Sequence, residues 1–281
     1  MWVVATPIGN LGDMSPRAAE VLDQVQRIAA EDTRHSAGLL AHLGVRTPLV
    51  SLHEHNEAER VPTLLEALQT GESVALISDA GTPLVSDPGF RLVRSAQEAG
   101  VAVRATPGPS ALLAALAVAG MPSNRFCFEG FLPHAAGARL RHLETLLAQP
   151  LTTIVFESSH RIRAAAEDLA GLAPEREVFL ARELTKQFEE HYRGGAGGLP
   201  AWLDADRNRT RGEFVLILGP APAPDTGGEA DEPLSAEHER LLAALLQEFP
   251  LKRAARLLSD ATDLPRNRVY ARALALKHAR S

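Results

Sequence analysis

Three short stretches gather side chains that carry charge or exchange protons: EDTRH at 31–35, HEHNE at 53–57 and FESSHR at 156–161. Carboxylates, imidazoles and guanidinium groups are the parts from which acid–base and anion-binding sites are built. Each stretch follows an apolar run, so all three are predicted at strand ends, where polar groups converge on one face of a sheet. Local structure accounts for some of them. Asp32 and Ser159 read as helix N-caps, and Glu31 and Glu57 as ordinary surface charges. The pair His53 and His55 has ligand chemistry, but no second ligand pair stands at a recognisable spacing, and no metal is expected.

A fourth stretch, SDAGTPLVSDPG at 78–89, follows the apolar run Val74-Ala75-Leu76-Ile77. It is rich in turn-making residues and has two aspartates but no lysine. Neither GxxxxGK[ST] nor GxGxxG occurs in the chain, so the usual cradles for polyphosphate and dinucleotide are absent. Asp87-Pro88 reads as an N-cap followed by the residue favoured at the first helical position. Ahead of it, Asp79-Ala80-Gly81-Thr82-Pro83 gives backbone freedom at the carboxyl edge of a sheet, letting main-chain groups approach a ligand. S-adenosylmethionine suits such a loop. It has no phosphate, its carboxylate can take main-chain N–H groups, and its sulfonium and ammonium favour nearby oxygen atoms.

The elements that must position these groups follow from periodicity. Over residues 1–120, strands at 3–5, 27–30, 49–52, 74–78 and 101–105 alternate with helices near 15–25, 34–43, 57–69 and 88–99, the rhythm of a mainly parallel sheet. An alanine- and leucine-rich helix follows TPGPS at 106–110. Strands at 126–129, 153–157, 178–181, 191–193 and 213–218 then come too quickly for crossover helices throughout, which predicts a mixed or antiparallel second sheet. The expected fold class is therefore α/β, with two α/β domains at 1–110 and 111–220 around a cleft. A Pro-, Gly- and acid-rich linker at 221–233 separates off a helical domain at 234–281. Its helices are predicted from 235 to about 247, 250–258 and 265–277, the last pair joined by a turn at 260–264 and resembling a helix-turn-helix.

The chain has 281 residues, 45% of them apolar, and a net charge of −6, which argues against a uniformly basic surface. Against that background, the stretch 251–281 carries eight cations (Lys252, Arg253, Arg256, Arg266, Arg268, Arg272, Lys277 and Arg280) and two acids. A basic helical face of this kind pairs with phosphate, although a solvated helical bundle has the same pattern. Arg139 and Arg141, beside His134 and His142, either extend it or form an ordinary helix exterior. Cys127, the single cysteine, excludes an internal disulfide and reads as a buried small apolar residue. The longest apolar run, 111–119, is too short to span a bilayer, so a soluble, cytoplasmic protein without a membrane partner is expected.

The ordered series TPIGNLGD (6–13), AEDTRH (30–35), HEHN (53–56), SDAGTPLVSDPG (78–89), PGPSA (107–111), FCFEGFLP (126–133), ESSHR (157–161) and RELTK (182–186) spans nearly the whole chain. It closely resembles the bacterial 16S ribosomal RNA (cytidine-2′-O)-methyltransferases of the tetrapyrrole-methylase superfamily. That resemblance implies a two-domain fold binding S-adenosylmethionine in the interdomain cleft, usually in a homodimer. It implies methylation of a decoding-site cytidine ribose in 16S rRNA of the small subunit. It also implies cofactor contacts from Pro7, from Ser78, Asp79, Ala80, Gly81, Thr82 and Pro83, from Ser110 and Ala111, and from Phe156, Leu184, Gly212 and Glu213. Small-molecule tetrapyrrole methylases open with a compact glycine-proline-glycine-aspartate turn, whereas this chain has Pro7-Ile8-Gly9-Asn10-Leu11-Gly12-Asp13, which favours the RNA branch.

Transfer to a ribose hydroxyl calls for positioning together with a base or a cation that stabilises the developing alkoxide. Glu31, Asp32, Arg34, His35, His53, Asn56, Glu157, His160, Arg161 and Lys186 are the candidates. Glu157 or His160 is preferred for the acid–base or orienting role, and Arg34, Arg161 or Lys186 for phosphate or alkoxide. Two other functions compete with this one. A small-molecule methylase leaves the basic helices idle, and a nonenzymatic nucleic-acid-binding protein explains the tail alone.

Overall fold

The computed structural model describes residues 1–222, 234–262 and 264–278. The predicted linker at 221–233 therefore falls, from 223 onward, outside the described residues, as do Asp263, Arg280 and the side chain of Lys277. The chain divides into two compact units, Met1–Ala221 and Pro222–Ser281.

The first unit is α/β and holds two five-stranded sheets. In chain order the first is built from β1 (Trp2–Val4), α1 (Pro16–Gln24), β2 (Arg27–Ala30), α2 (Thr33–Leu43), β3 (Leu49–Ser51), α3 (Glu57–Gln69), β4 (Val74–Ile77), α4 (Phe90–Glu98) and β5 (Arg104–Thr106). Its order is β3-β2-β4-β1-β5 with every pairing parallel, as the alternating pattern predicts. Helices cover both faces, so the central strand β4 is buried along its whole length and reads as unbroken VALI. β5 begins at Arg104, later than predicted. β1 offers ladder partners only to 104–106, and Val101 and Val103 pack instead against the core cluster around Leu64 and Leu92.

The second sheet follows α5 (Ala111–Ala119). It comprises β6 (Phe126–Phe131), α6 (Ala136–Leu147), β7 (Thr152–Ser158), α7 (Ile162–Leu172), β8 (Glu177–Arg182), β9 (Glu190–Gly195), α8 (Leu199–Asp204) and β10 (Glu213–Leu218). It is mixed, as predicted: the order is β6-β7-β10-β8-β9, with only β6 and β7 parallel. α6, α7 and α8 pack on one face through Leu143, Leu169 and Leu203. α5 covers the other face through Leu112, Ala115 and Leu116. Ser159 does not cap α7 as predicted; Arg161 holds the N-cap position. Cys127 is half-buried rather than buried, with its sulfur 3.2 Å from Thr153 Oγ1.

The second unit contains α9 (Ala236–Glu248), α10 (Leu251–Ala261) and α11 (Arg266–His278) around Leu242, Leu258, Val269 and Ala273. α10 runs through Asp260 and Ala261, so the predicted turn starts later than 260. Not all its basic residues are available to a partner. Arg272 is paired with Glu239 and Arg256 with Asp260, and Arg253 lies over the Phe249 ring.

Candidate active site

The loop after β4 is tied to the end of every other strand of its sheet. Thr6, just past β1, forms an antiparallel bridge with Gly81: Thr6 N donates to Gly81 O at 2.8 Å, and Gly81 N donates back at 3.1 Å. After β2, Asp32 N donates to Asp79 Oδ1 at 3.1 Å. At the start of α3, beyond β3, the Glu57 carboxylate accepts from Gly89 N at 2.7 Å. Past β5, Pro109 O accepts from Thr82 Oγ1 at 3.0 Å. These bonds hold a backbone that is otherwise unfavourable. Leu84 and Ser86 have φ of 72° and 67°, and Gly81, at φ 84°, has Ile8 Cγ2 only 3.2 Å from where a Cβ would stand. Non-glycine residues at such angles persist only when their surroundings impose them, and they cluster at functional sites.

Glu57 is not a surface charge: it is 8% exposed, and its carboxylate supplies the anion at the α4 N-terminus. Asp87 consequently is not the N-cap of α4, which begins at Phe90 with Gly89 as its cap residue. Freed from capping, Asp87 lines a cavity of about 450 Å³. Burial, then the nearby Glu31 carboxylate, push its carboxyl up from 3.8 to about 7; the Ser78 hydroxyl pulls it back and Asp79 adds to the push. Glu31 itself is raised, first by burial and then by Asp79 and Glu54.

The opposite wall of the cavity is the β7–β10 ladder, where Phe156 faces Val215 and Glu157 faces Phe214. The Glu157 side chain is fully buried. One carboxylate oxygen, Oε1, accepts from Ser158 N and pairs with Arg161, each at 2.7 Å, while Oε2 has no hydrogen-bond partner among the described residues. Leu184 closes the wall from the loop after β8, where Glu183 and Thr185 repeat the strained geometry at φ 52° and 65°. Lys186 stabilises this second loop by reaching Glu183 at 3.0 Å and Glu213 at 2.9 Å. Burial lowers the Lys186 pKa, but its pairs with Glu213 and Glu183 outweigh burial and leave it raised. The lysine lies across Gly9, whose φ of 139° disfavours any side chain and where a Cβ would come within 2.4 Å of the lysine Cε and push it aside.

Of the residues named from sequence, Asp79, Ala80, Gly81, Thr82, Ser110, Ala111, Phe156, Glu157, Leu184, Gly212 and Glu213 line the one cavity. Pro7, Ser78 and Pro83 are buried behind it; the Ser78 hydroxyl is turned into its own loop, 3.2 Å from Gly81 O. Four more of the named residues stand off the wall. His160 is exposed between β7 and α7, Arg34 is exposed and paired with Asp32, and Lys186 is held as above. Arg161 is committed to Glu157 and to Leu132 O at 2.9 Å. The lining residues not named as site residues from sequence are Ile8, Val85, Ser86, Asp87, Phe131, Ser158, Ser159, Phe214 and Val215. All but Phe214 and Val215 lie inside a quoted motif, but their placement on the wall depends on long-range contacts. Among the described residues, the wall carries four carboxylates (Asp79, Asp87, Glu157 and Glu213) and no lysine, arginine or histidine.

The family model described as Tetrapyrrole (Corrin/Porphyrin) Methylases matches residues 1–200, and one described as RsmI C-terminal HTH domain matches residues 232–277. The chain is 48% identical over 276 residues to Ribosomal RNA small subunit methyltransferase I of Escherichia coli O157:H7, covering 98% of this chain and 94% of that protein. The relative of the same name in Pseudomonas aeruginosa strain PAO1 is 48% identical over 275 residues, covering 98% and 96%. The chain belongs to the ribosomal RNA small subunit methyltransferase I family. As a member of that methyltransferase family it is an enzyme, and its α/β unit has the tetrapyrrole-methylase fold. A diphthine synthase structure superposes with a TM-score of 0.61 at 17% identity, covering 78% of this chain and 88% of that one. Uroporphyrin-III C-methyltransferase from Thermus thermophilus, complexed with S-adenosyl homocysteine, gives 0.52 at 20% identity, covering 78% and 95%.

Proposed function

We propose that this enzyme methylates the ribose 2′-oxygen of a cytidine in 16S rRNA, at the decoding site of the small subunit, with S-adenosylmethionine as donor. The observation that carries the donor assignment is the cavity wall of four carboxylates and no cationic side chain. Such a wall repels phosphate and suits a sulfonium and an ammonium, while Phe156, Leu184 and Ile8 offer an apolar bed. The unpartnered, buried Glu157 Oε2 is an acceptor waiting for a donor group. When bound, S-adenosylmethionine supplies a methyl on sulfonium: its S–C bond breaks as the 2′-oxygen forms a C–O bond, and the hydroxyl proton leaves to a base. RNA as acceptor is supported by the full-length similarity to relatives named for ribosomal RNA.

In this reading Asp79, Ala80, Gly81 and Thr82 present the main chain to the donor, with Ser110, Ala111, Gly212 and Glu213 completing the pocket. His160, exposed beside the lining residues Ser158 and Ser159, takes the 2′-hydroxyl proton. Arg161 positions Glu157, Lys186 positions Glu213, and Arg34 meets RNA phosphate. Residues 1–110 and 111–220 act as two lobes, and 234–281, joined through 221–233, anchors RNA. The chain works in the cytoplasm as a homodimer; Leu113 and Val118, each more than half exposed on α5, supply apolar surface for a second copy.

The test is transfer of labelled methyl from S-adenosylmethionine to purified small subunits, to free 16S rRNA and to a tetrapyrrole, followed by mapping of the modified nucleoside. Label on a 2′-O-methylcytidine is the expected result. Label on the tetrapyrrole, or on a base nitrogen or carbon, overturns the assignment.

A further inference from the structure

Phe131 is out of place for an apolar side chain: it lines the cavity, yet it is 54% exposed. Its position is built by an irregularity in β6. Phe126, Cys127 and Phe128 pair in register with Thr152, Thr153 and Ile154; the register then shifts, so that Phe131 comes opposite Phe156. Gly130, at φ 69°, makes the bend. Bulges of this kind re-aim a side chain beside a site. Here the bulge sets the Phe131 ring edge-on to Phe156 at 5.6 Å, and Phe128 contacts Phe156 at 4.8 Å from the more buried side. The inner rings are thus packed, while the outermost keeps much of its surface in water.

We propose that Phe131 is the platform on which the base of the acceptor nucleotide stacks. This rests on the RNA reading given above and adds what holds the acceptor. With no cation on the cavity wall, a phosphate has nothing to grip there, whereas every base presents a neutral π-face. Exposed bases of unpaired RNA are commonly held by stacking on aromatic rings. A ring fixed from behind by Phe156 at the edge of the donor cavity would orient the sugar attached to that base.

The experiment compares wild type with Phe131→Ala, Phe131→Leu and Phe131→Trp on small subunits from cells lacking this enzyme, with S-adenosylmethionine affinity and oligomeric state measured alongside. In Ala and Leu, kcat/KM for subunits falls roughly 5- to 150-fold, the range one stacked base supplies. Trp keeps it within about threefold, a difference of well under a tenfold step in binding. Because Phe131 also lines the rim of the donor cavity, donor affinity shifts by no more than about threefold, far less than the loss on subunits, and oligomeric state stays unchanged in all three. Leucine retaining wild-type activity shows that apolar bulk suffices and overturns the proposal. Donor binding weakened as much as turnover on subunits assigns the ring to the donor instead, and a change in oligomeric state assigns it to a subunit contact; either overturns it. If wild type labels no RNA, the RNA reading fails and the stacking role falls with it. If wild type labels subunits and all variants match it, only the stacking role fails.

Discussion

The loops at 78–89 and 183–186 share an unusual backbone, and the two are held by different chemistry. Among the described residues, the non-glycine residues with positive φ are Leu84 and Ser86 in the first and Glu183 and Thr185 in the second. Such angles cost on the order of 1–3 kcal/mol each. In the first loop the compensating contacts are hydrogen bonds from neighbouring strand ends, most of them buried and several purely main-chain. In the second, one main-chain bond from Glu183 N to Glu213 O at 3.0 Å is joined by carboxylate contacts: Lys186 with the largely buried Glu183 and the exposed Glu213, and Thr185 N with Glu189 Oε2 at 2.6 Å. Buried hydrogen bonds are shielded from salt, whereas exposed ion pairs are screened by it. The first loop therefore depends little on ionic strength, and in the second the contact open to screening is Lys186 with Glu213, whose side chain is 74% exposed.

The largest effect belongs to the first loop. Gly81→Val forces a β-branched residue to φ 84° against Ile8, and donor affinity measured by calorimetry falls by about 100-fold or more while far-ultraviolet circular dichroism stays native. Unchanged affinity removes that loop from the site. Next, Glu57→Ala strips the buried acceptor from the α4 N-terminus and lowers unfolding free energy by about 1–3 kcal/mol, most of it independent of salt because the exposed Arg91, 3.6 Å away, adds only a weak pair. Denaturation at low and high salt checks it, and a largely salt-dependent loss erases the contrast between the loops.

A subtler test uses pH. Because folding raises the Asp87 carboxyl from 3.8 to about 7, the folded state holds a proton there that the unfolded state releases. This group's contribution to stability therefore falls as pH rises from about 4 to about 7 and is constant on either side. Asp87→Asn should flatten that part of the Tm-against-pH curve and be the more stable protein at pH 8. Last, Glu213→Gln weakens one half-exposed pair and costs under about 1 kcal/mol, a loss that vanishes in high salt. A loss that persists in high salt would show that the second loop is as insulated as the first.

What could be read in the sequence was what depends on neighbours along the chain. The helix over 57–69 and the strands over 27–30 and 213–218 match residue for residue, because each has unbroken periodicity between clear stops. Asp32 caps α2 as predicted, accepting from Arg34 N and His35 N. The cavity loops were also legible, since turn-rich stretches after apolar runs mark strand ends. The errors came where a distant group displaced a local one. Asp87-Pro88 satisfies every local rule for starting a helix, yet Glu57, thirty residues earlier, occupies the α4 N-terminus and leaves Asp87 to the cavity. Likewise Phe131 looks like one more strand aromatic until the register shift in β6 sets it at the rim of the cavity.

The position of β10 has a consequence for synthesis. It is the last strand of the second sheet to be made, yet it lies between β7 and β8 and forms the cavity wall with Phe214 and Val215. Until Leu218 has emerged, the nascent chain holds two apolar strands with unsatisfied edges, the template on which chains join one another. A protein truncated just before Glu213 would lose the pocket, and its freed strand edges would make it prone to aggregation as well as inactive.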